Sequence, residues 1–166
     1  MRDFRPILNI LGLLLCIESA ALLIPMFFDL INNNQDWKQF FFISSLTFLI
    51  GFVLYVGFKK EKIKIDLRQA FLLTILSWLL IAFFGSLPFI YASSSLNFTD
   101  AFFESVSGIT TTGSTVISRL DNLSEGILIW RSLLQWFGGI GIIVLAIAIL
   151  PTLQIGGMQL LHMEHD

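Results

Sequence analysis

The sequence has little of what soluble enzymes and extracellular scaffolds rely on. Charged residues make up only 13% of its 166 residues, which is about half the usual share in a soluble domain. A single cysteine, Cys16, excludes an intramolecular disulfide and a cysteine metal cluster. The only two histidines, His162 and His165, offer few candidates for a metal site or for acid–base catalysis. The net charge of −2 gives nucleic acid no electrostatic attraction.

Apolar residues are abundant instead. Hydrophobic residues make up 55% of the chain, and the mean hydropathy is +0.82. Four apolar runs have close to the ~20 residues that a helix needs to cross a bilayer: residues 7–28, 40–58, 70–92 and 132–150. None alternates with the period of two that is expected of a membrane barrel, and the first run is too long for the core of a signal peptide. The pattern predicts an all-α integral membrane protein with four transmembrane helices.

The cationic residues are concentrated on one side of these spans. Most of them precede the first run or lie between the second and third runs: Arg2, Arg5, Lys59, Lys60, Lys62, Lys64 and Arg68. The positive-inside rule places that side in the cytoplasm. Because the number of spans is even, both termini are predicted to be cytoplasmic.

The segment between the third and fourth runs begins with helix signals. Asn97 or Thr99 is a candidate N-cap, and Asp100 and Glu104 put acidic groups near the positive end of the helix. Gly108 is a candidate C-terminal stop. One apolar face has helical spacing: Phe98, Phe102, Phe103 and Val106. A helix of about 11 residues is roughly 16 Å long, which is half the thickness of a bilayer.

Hydroxyl residues and a glycine follow this short helix: Thr110, Thr111, Thr112, Gly113, Ser114 and Thr115. Polar, non-helical backbone is tolerated at membrane depth where it lines a water-filled cavity. A re-entrant helix followed by such a loop is the layout of an ion-channel pore, in which backbone carbonyls replace the water around a cation. Gly113 would let the backbone adopt the positive φ that aligned carbonyls require.

The segment allows two other interpretations. An ordinary extracellular loop with a surface helix is the usual meaning of a Ser/Thr/Gly-rich connection, but it would expose the phenylalanines to water. The stretch from Gly108 to Thr115 also imitates a phosphate-binding loop. We reject that interpretation because the lysine is missing and no strand precedes the loop.

The segments SGITTTGST, IWRSLLQWFGGIGIIVLAIAILP and GGMQL resemble the Trk/Ktr/HKT superfamily of potassium transporters, most closely its bacterial TrkH/TrkG type. The resemblance covers about residues 70–161, and the span pattern of residues 1–69 also fits. It implies a unit of outer helix, pore helix, filter loop and inner helix that is repeated four times around one pore. In the TrkH type, two further helices precede the first unit.

The resemblance also implies how the chain is divided. Residues 1–66 correspond to the N-terminal helix pair with its cytoplasmic basic loop, and residues 67–166 to the first pore repeat. The parts of that repeat are the outer helix (67–92), the pore helix (98–108), the filter (110–115), the inner helix (123–150) and a cytoplasmic tail (151–166). The implied ion-binding residues are Thr111, Thr112, Gly113 and Ser114, with K⁺ at Thr111 and Thr112 and with Thr110, Thr115 and Gly108 in support. Glycine at the position of Gly113 goes with potassium selectivity in this family.

The function implied is potassium uptake across the bacterial cytoplasmic membrane. The protein is expected not to be an enzyme and to need no cofactor, K⁺ being the transported ion. The expected partners are membrane lipid, the remaining three repeats, a second copy in a homodimer and a cytoplasmic nucleotide-binding regulatory subunit, with no nucleic acid. Because the sequence holds one repeat, it supplies one quarter of a filter and is expected to be the N-terminal piece of a longer transporter. The alternatives are a tetramer of this chain and a truncated fragment that only associates with other membrane subunits.

Several residues outside the loop each allow two interpretations. Glu18, an acid within a span, either contacts a polar group at the periphery or takes part in transport. Arg131 either reaches the membrane interface, with Trp130 in the aromatic belt, or acts electrostatically near the outer vestibule. The glycines of the fourth run are expected to serve helix packing, with bending as the alternative: Gly138, Gly139 and Gly141.

Overall fold

The structure, a computed structural model, describes residues 4–59, 67–118, 120 and 123–143. These residues form five α-helices and no β-strand. The helices are α1 (Arg5–Ile31), α2 (Trp37–Gly57), α3 (Leu67–Tyr91), α4 (Phe98–Ile109) and α5 (Glu125–Ile143). Four of them, all except α4, are long and apolar enough to cross a membrane. The prediction of an all-α chain with four apolar spans is therefore confirmed.

Some predicted features lie outside the described residues. They are most of the basic loop (60–66), the end of the inner helix (144–150) and the tail (151–166), which includes both histidines. Each of the four long helices begins before its apolar run. Helix α1 begins at Arg5 and α2 at Trp37, since polar residues at a span end continue the helical hydrogen bonding.

Helices α1 and α2 pack closely through a pair of glycines. A Cβ atom at Gly12 would lie 2.7 Å from the carbonyl oxygen of Gly51, and one at Gly51 would lie 2.8 Å from Cβ of Leu15. Ser44 donates a hydrogen bond to the carbonyl of Ser19 over 2.8 Å. Small residues at a membrane helix contact allow this close approach, which brings backbone and hydroxyl groups together.

Replacing Gly51 by leucine is expected to separate α1 from α2 and to lower the free energy of unfolding by about 1–3 kcal/mol. The measurement is thermal unfolding of the purified protein in detergent. Gly57→Leu is the matched control, because no atom lies within 4 Å of a Cβ built at Gly57. Equal melting temperatures for the two variants would contradict this account of the contact.

The apolar core draws on all five helices. Its fully buried centre includes Trp130 and Leu134 of α5, Phe89 of α3 and Phe40 of α2. The indole Nε1 of Trp130 donates to the carbonyl oxygen of Gly85 over 2.9 Å. The predicted place of Trp130 in an interfacial aromatic belt is therefore wrong. A buried tryptophan satisfies its N–H inside the protein and needs no interface.

Two buried carboxylates, Asp29 near the end of α1 and Asp36 just before α2, bind backbone N–H groups at the start of α5 and just after α3. Asp29 is fully buried, and its Oδ1 accepts a hydrogen bond from the backbone N–H of Gly126 over 2.9 Å. Asp36 Oδ2 accepts one from the N–H of Ser93 over 2.9 Å, and Asn32 hydrogen bonds to Glu125. An acid at the start of α5 is favoured by the unpaired N–H groups there. The helix pair is thus fixed to the first turn of α5.

Candidate ion-binding loop

Asn97 starts the short helix α4. Its Oδ1 accepts a hydrogen bond from the N–H of Asp100 over 2.9 Å, and its Nδ2 donates to Asp100 Oδ2 over 2.8 Å. Of the two predicted N-caps, Asn97 and Thr99, the first is the one used. This reciprocal arrangement satisfies one of the free N–H groups at the helix start and fixes where α4 begins.

The predicted apolar face of α4 is present and partly exposed, and its Phe98 contacts Phe83 of α3 with ring centroids 6.2 Å apart. Phe98 and Phe103 are 53% and 45% exposed, and Phe98 stacks on Phe102 with ring centroids 5.9 Å apart. The buried side carries small and polar residues, among them Ala101, Glu104, Ser105 and Gly108. Small side chains on this side let α3 and α5 come close to the α4 backbone.

Helix α4 ends later than the sequence suggested. The predicted stop at Gly108 is wrong, because the helix continues through Ile109. Thr111 adopts the left-handed conformation with φ of 58°. Its N–H donates to the carbonyl of Gly108 over 2.9 Å, and the N–H of Thr112 donates to that of Ser107 over 3.0 Å. These two bonds form a Schellman motif, in which a β-branched threonine occupies the position that glycine usually takes.

Gly108 instead provides room for α5. A Cβ atom at Gly108 would lie 3.0 Å from Cβ of Leu134. One turn further along α5, a Cβ at Gly138 would overlap the carbonyl of Ile109. The packing interpretation of the α5 glycines is therefore correct for Gly138, whereas a Cβ at Gly139 would meet nothing within 4 Å.

Ser107 holds the loop after α4 in place. Its hydroxyl donates to the carbonyl oxygen of Ser114 over 2.6 Å. Its own carbonyl also accepts the N–H of Gly113, which has φ of 76°. The carbonyls of Thr111, Thr112 and Gly113 accept no hydrogen bond within the part of the chain that the structure describes. The loop is exposed on this side, so three successive carbonyls are available to a ligand.

A buried carboxylate anchors the far end of the loop. Glu104 Oε2 accepts hydrogen bonds from the hydroxyl of Thr115 over 3.0 Å and from the N–H of Val116 over 3.1 Å. Its Oε1 pairs with Nε of Arg131 over 2.5 Å. The Glu104 side chain is fully buried, and that of Arg131 is 15% exposed. Arg131 thus binds a buried acid through its Nε, a partner that the sequence did not indicate.

Thr110 and Glu18 are two further candidates from the sequence. The Thr110 hydroxyl donates to the carbonyl of Val106 over 2.8 Å and lies 2.9 Å from the hydroxyl of Thr112, so it supports the helix end. Glu18 is 2% exposed, and neither of its carboxylate oxygens accepts a hydrogen bond from a described residue.

Comparisons with known proteins agree on one family. Residues 37–166 match the family TrkH, described as "Cation transport protein". The chain is 46% identical over 162 residues to the Trk system potassium uptake protein TrkH of Escherichia coli strain K12, covering 97% of this chain and 34% of that protein. It is 37% identical over 161 residues to TrkG of the same strain, covering 96% of this chain and 33% of that protein.

A solved structure is similar as well. The crystal structure of the potassium transporter TrkH from Vibrio parahaemolyticus superimposes with a TM-score of 0.86 at 43% identity, covering 94% of this chain and 34% of that one. The chain spans about a third of the length of the curated relatives it matches. With its four apolar helices, and with a family match over more than half of its length, the chain is a membrane protein that belongs to the TrkH family of cation transport proteins.

Proposed function

We propose that this chain supplies one quarter of the selectivity filter of a Trk-type potassium-uptake transporter in the bacterial cytoplasmic membrane. The observation that carries the proposal is the row of three unbonded carbonyls, at Thr111, Thr112 and Gly113, directly after the short helix α4. Ring-shaped sets of such carbonyls replace the hydration shell of K⁺ in potassium filters. The helix dipole supports this, because the C-terminal end of α4 is partially negative.

The residues around the loop have different roles in this proposal. Thr111 and Thr112 bind K⁺ through their carbonyls, and Gly113 continues the row. The carbonyl of Ser114 already accepts the Ser107 hydroxyl, so Ser114 contributes mainly by holding the loop against α4. Thr115 supports the loop through Glu104. No residue performs covalent chemistry, and the transported ion is the only substrate.

One loop cannot surround an ion, so we propose that three further repeats of the same polypeptide complete the ring. The exposed face of α4, with Phe98 and Phe103, would then contact those repeats. The cations Arg5, Lys59 and Arg68 favour a cytoplasmic position for the start of α1 and for the α2–α3 connection. A homodimer and a cytoplasmic nucleotide-binding regulatory subunit belong to the same proposal.

The test is potassium uptake in bacteria that lack their own uptake systems. The complete reading frame that contains this chain is expected to restore growth at low potassium, whereas residues 1–166 expressed alone are not. Rubidium uptake measures the rate, and an empty vector gives the background. If the complete frame carries no potassium into the cells although it reaches the membrane, the alternative of a non-transporting membrane subunit is favoured.

Removing the Ser107 hydroxyl is expected to lower rubidium uptake severalfold. Ser107→Ala deletes the hydrogen bond to the Ser114 carbonyl, and such a bond contributes about 0.5–1.5 kcal/mol. Ser132→Ala is the control, because the exposed Ser132 hydroxyl donates only to Leu128 of its own helix. Uptake by Ser107→Ala that equals uptake by the control would show that the loop does not depend on this bond.

A further inference from the structure

Helix α5 carries a further polar side chain, Gln135, on the face that meets α4 and the loop. Arg131, Gln135 and Gly138 are separated by four and three positions, so they share one face of the helix. On this face Arg131 pairs with Glu104, and a Cβ at Gly138 would overlap the carbonyl of Ile109. Gln135 lies between these two contacts, next to the loop that follows α4.

The Gln135 amide lies beside the middle of the loop. Its Nε2 is the nearest atom to a Cβ built at Gly113, at 4.0 Å. Gly113 is the last residue in the row of three carbonyls that accept no hydrogen bond from a described residue. Gln135 is half-buried, and its side-chain amide forms no hydrogen bond within the described ranges either. Free carbonyls and a free amide donor are thus neighbours at this point of the loop.

An amide without a partner is unfavourable inside a membrane span. Gln135 belongs to α5, one of the four helices that can cross a membrane, and polar side chains within such helices hydrogen bond to other helices or face a water-filled path. The Glu104 carboxylate on the same face already accepts from Arg131, Thr115 and Val116. The free loop carbonyls are therefore the acceptors that suit Gln135.

We propose that Gln135 is a specificity-determining residue of the ion site, and that its amide N–H donates to the Gly113 carbonyl. This inference rests on the proposed function. An N–H group that shares a carbonyl with the ion lowers the negative potential which that carbonyl offers. The field strength of the coordinating carbonyls is one determinant of the preference for K⁺ over Na⁺. A weaker field disfavours Na⁺ more, because the smaller ion gives up more strongly bound water. Gln135 thereby raises the preference for potassium.

The test measures ion binding by the complete polypeptide, purified in detergent. Its melting temperature is followed as potassium chloride or sodium chloride replaces choline chloride, since an ion that binds only the folded state raises that temperature. The ratio of the two dissociation constants is the potassium preference. Gln135→Met keeps the length of the side chain and removes the donor, and it is expected to lower this preference about three- to tenfold. Sodium should bind more tightly than in the wild type, a change that simple loss of packing would not produce.

Two further variants complete the test. Gln135→Leu also lacks the donor but differs in shape, so it should change the preference as Gln135→Met does. Gln35→Met makes the same exchange at an exposed position between α1 and α2 and should leave the preference unchanged. If both Gln135 variants keep the wild-type ratio, or bind both ions more weakly in equal proportion, Gln135 does not determine specificity. A wild-type protein that neither ion stabilises would instead contradict the proposed function, and the inference with it.

Discussion

Replacing Gly113 by aspartate is expected to reduce rubidium uptake by a factor on the order of 100 or more. Gly113 has φ of 76°, a conformation that costs about 1–2 kcal/mol for most other residues. Aspartate also adds a full negative charge beside carbonyls that should bind K⁺ only moderately. Conduction requires that the ion leave as readily as it enters, and a carboxylate at this place would retain it.

Backbone strain and charge can be separated by a second substitution. A Cβ atom at Gly113 would have no atom nearer than Gln135 Nε2 at 4.0 Å, so Gly113→Ala meets no steric obstacle. The Gly113→Ala variant should therefore be impaired only by the energetic cost of a positive φ, which corresponds to about a tenfold reduction in rubidium uptake. Gly57→Asp controls for the charge, since a Cβ at Gly57 has no neighbour within 4 Å. Normal uptake by Gly113→Asp would exclude the loop from the ion pathway.

Most of the fold could be predicted because it depends on quantities that are local in sequence. The length and hydropathy of each apolar run determine whether a helix can cross a bilayer, and α1, α2, α3 and α5 agree with the predicted spans. The side on which a helix packs, in contrast, depends on residues that are distant in sequence. Phe98 and Phe103 have helical spacing, yet they are exposed while Glu104 is buried, because the α3 and α5 backbones approach the small residues of α4.

The composition and the position of the candidate site could be predicted from the sequence. The contacts that hold its loop in place could not. Glycine and threonine next to a half-length helix indicated the loop. The left-handed residue at the end of α4 is Thr111 and not Gly108. Residue propensities would not predict this, because glycine is the usual residue at that position. The pairing of Glu104 with Arg131 spans 27 positions, and no periodicity or motif connects two charges at that distance. The role of Ser107 also depends on the folded path of the loop.

Among the residues that do not face the ion, Glu104 is expected to be the one whose loss disrupts the loop most. Glu104→Ala removes the acceptor for Thr115 and Val116 and leaves Arg131 largely buried without its partner. Breaking one side of a buried ion pair costs about 3–5 kcal/mol. We expect rubidium uptake to fall by a factor on the order of 100, and the preference for potassium over sodium to fall with it, because the loop loses its outer anchor.

A double-mutant cycle distinguishes an anchor from two independent effects. Arg131→Ala alone should also destabilise the protein, since it leaves the Glu104 carboxylate buried and uncompensated. The double variant Glu104→Ala/Arg131→Ala should lose less free energy of unfolding than the sum of the single variants, because neither charge remains. Glu125→Ala is the matched control: this exposed acid hydrogen bonds to Asn32, and its loss should cost less than about 1 kcal/mol.

The conservative substitution Glu104→Gln separates loop support from charge pairing. Its amide oxygen can still accept from Thr115 and Val116, while the amide NH2 faces Arg131 and cannot accept from its Nε, so the pairing is lost. Potassium preference is therefore expected to be retained more fully in Glu104→Gln than in Glu104→Ala, although both variants unfold more easily than the wild type. Equal loss of preference in the two would mean that the ion pair itself sets selectivity. Additive losses in the cycle would mean that Glu104 and Arg131 act separately, in which case the loop is held mainly by Ser107.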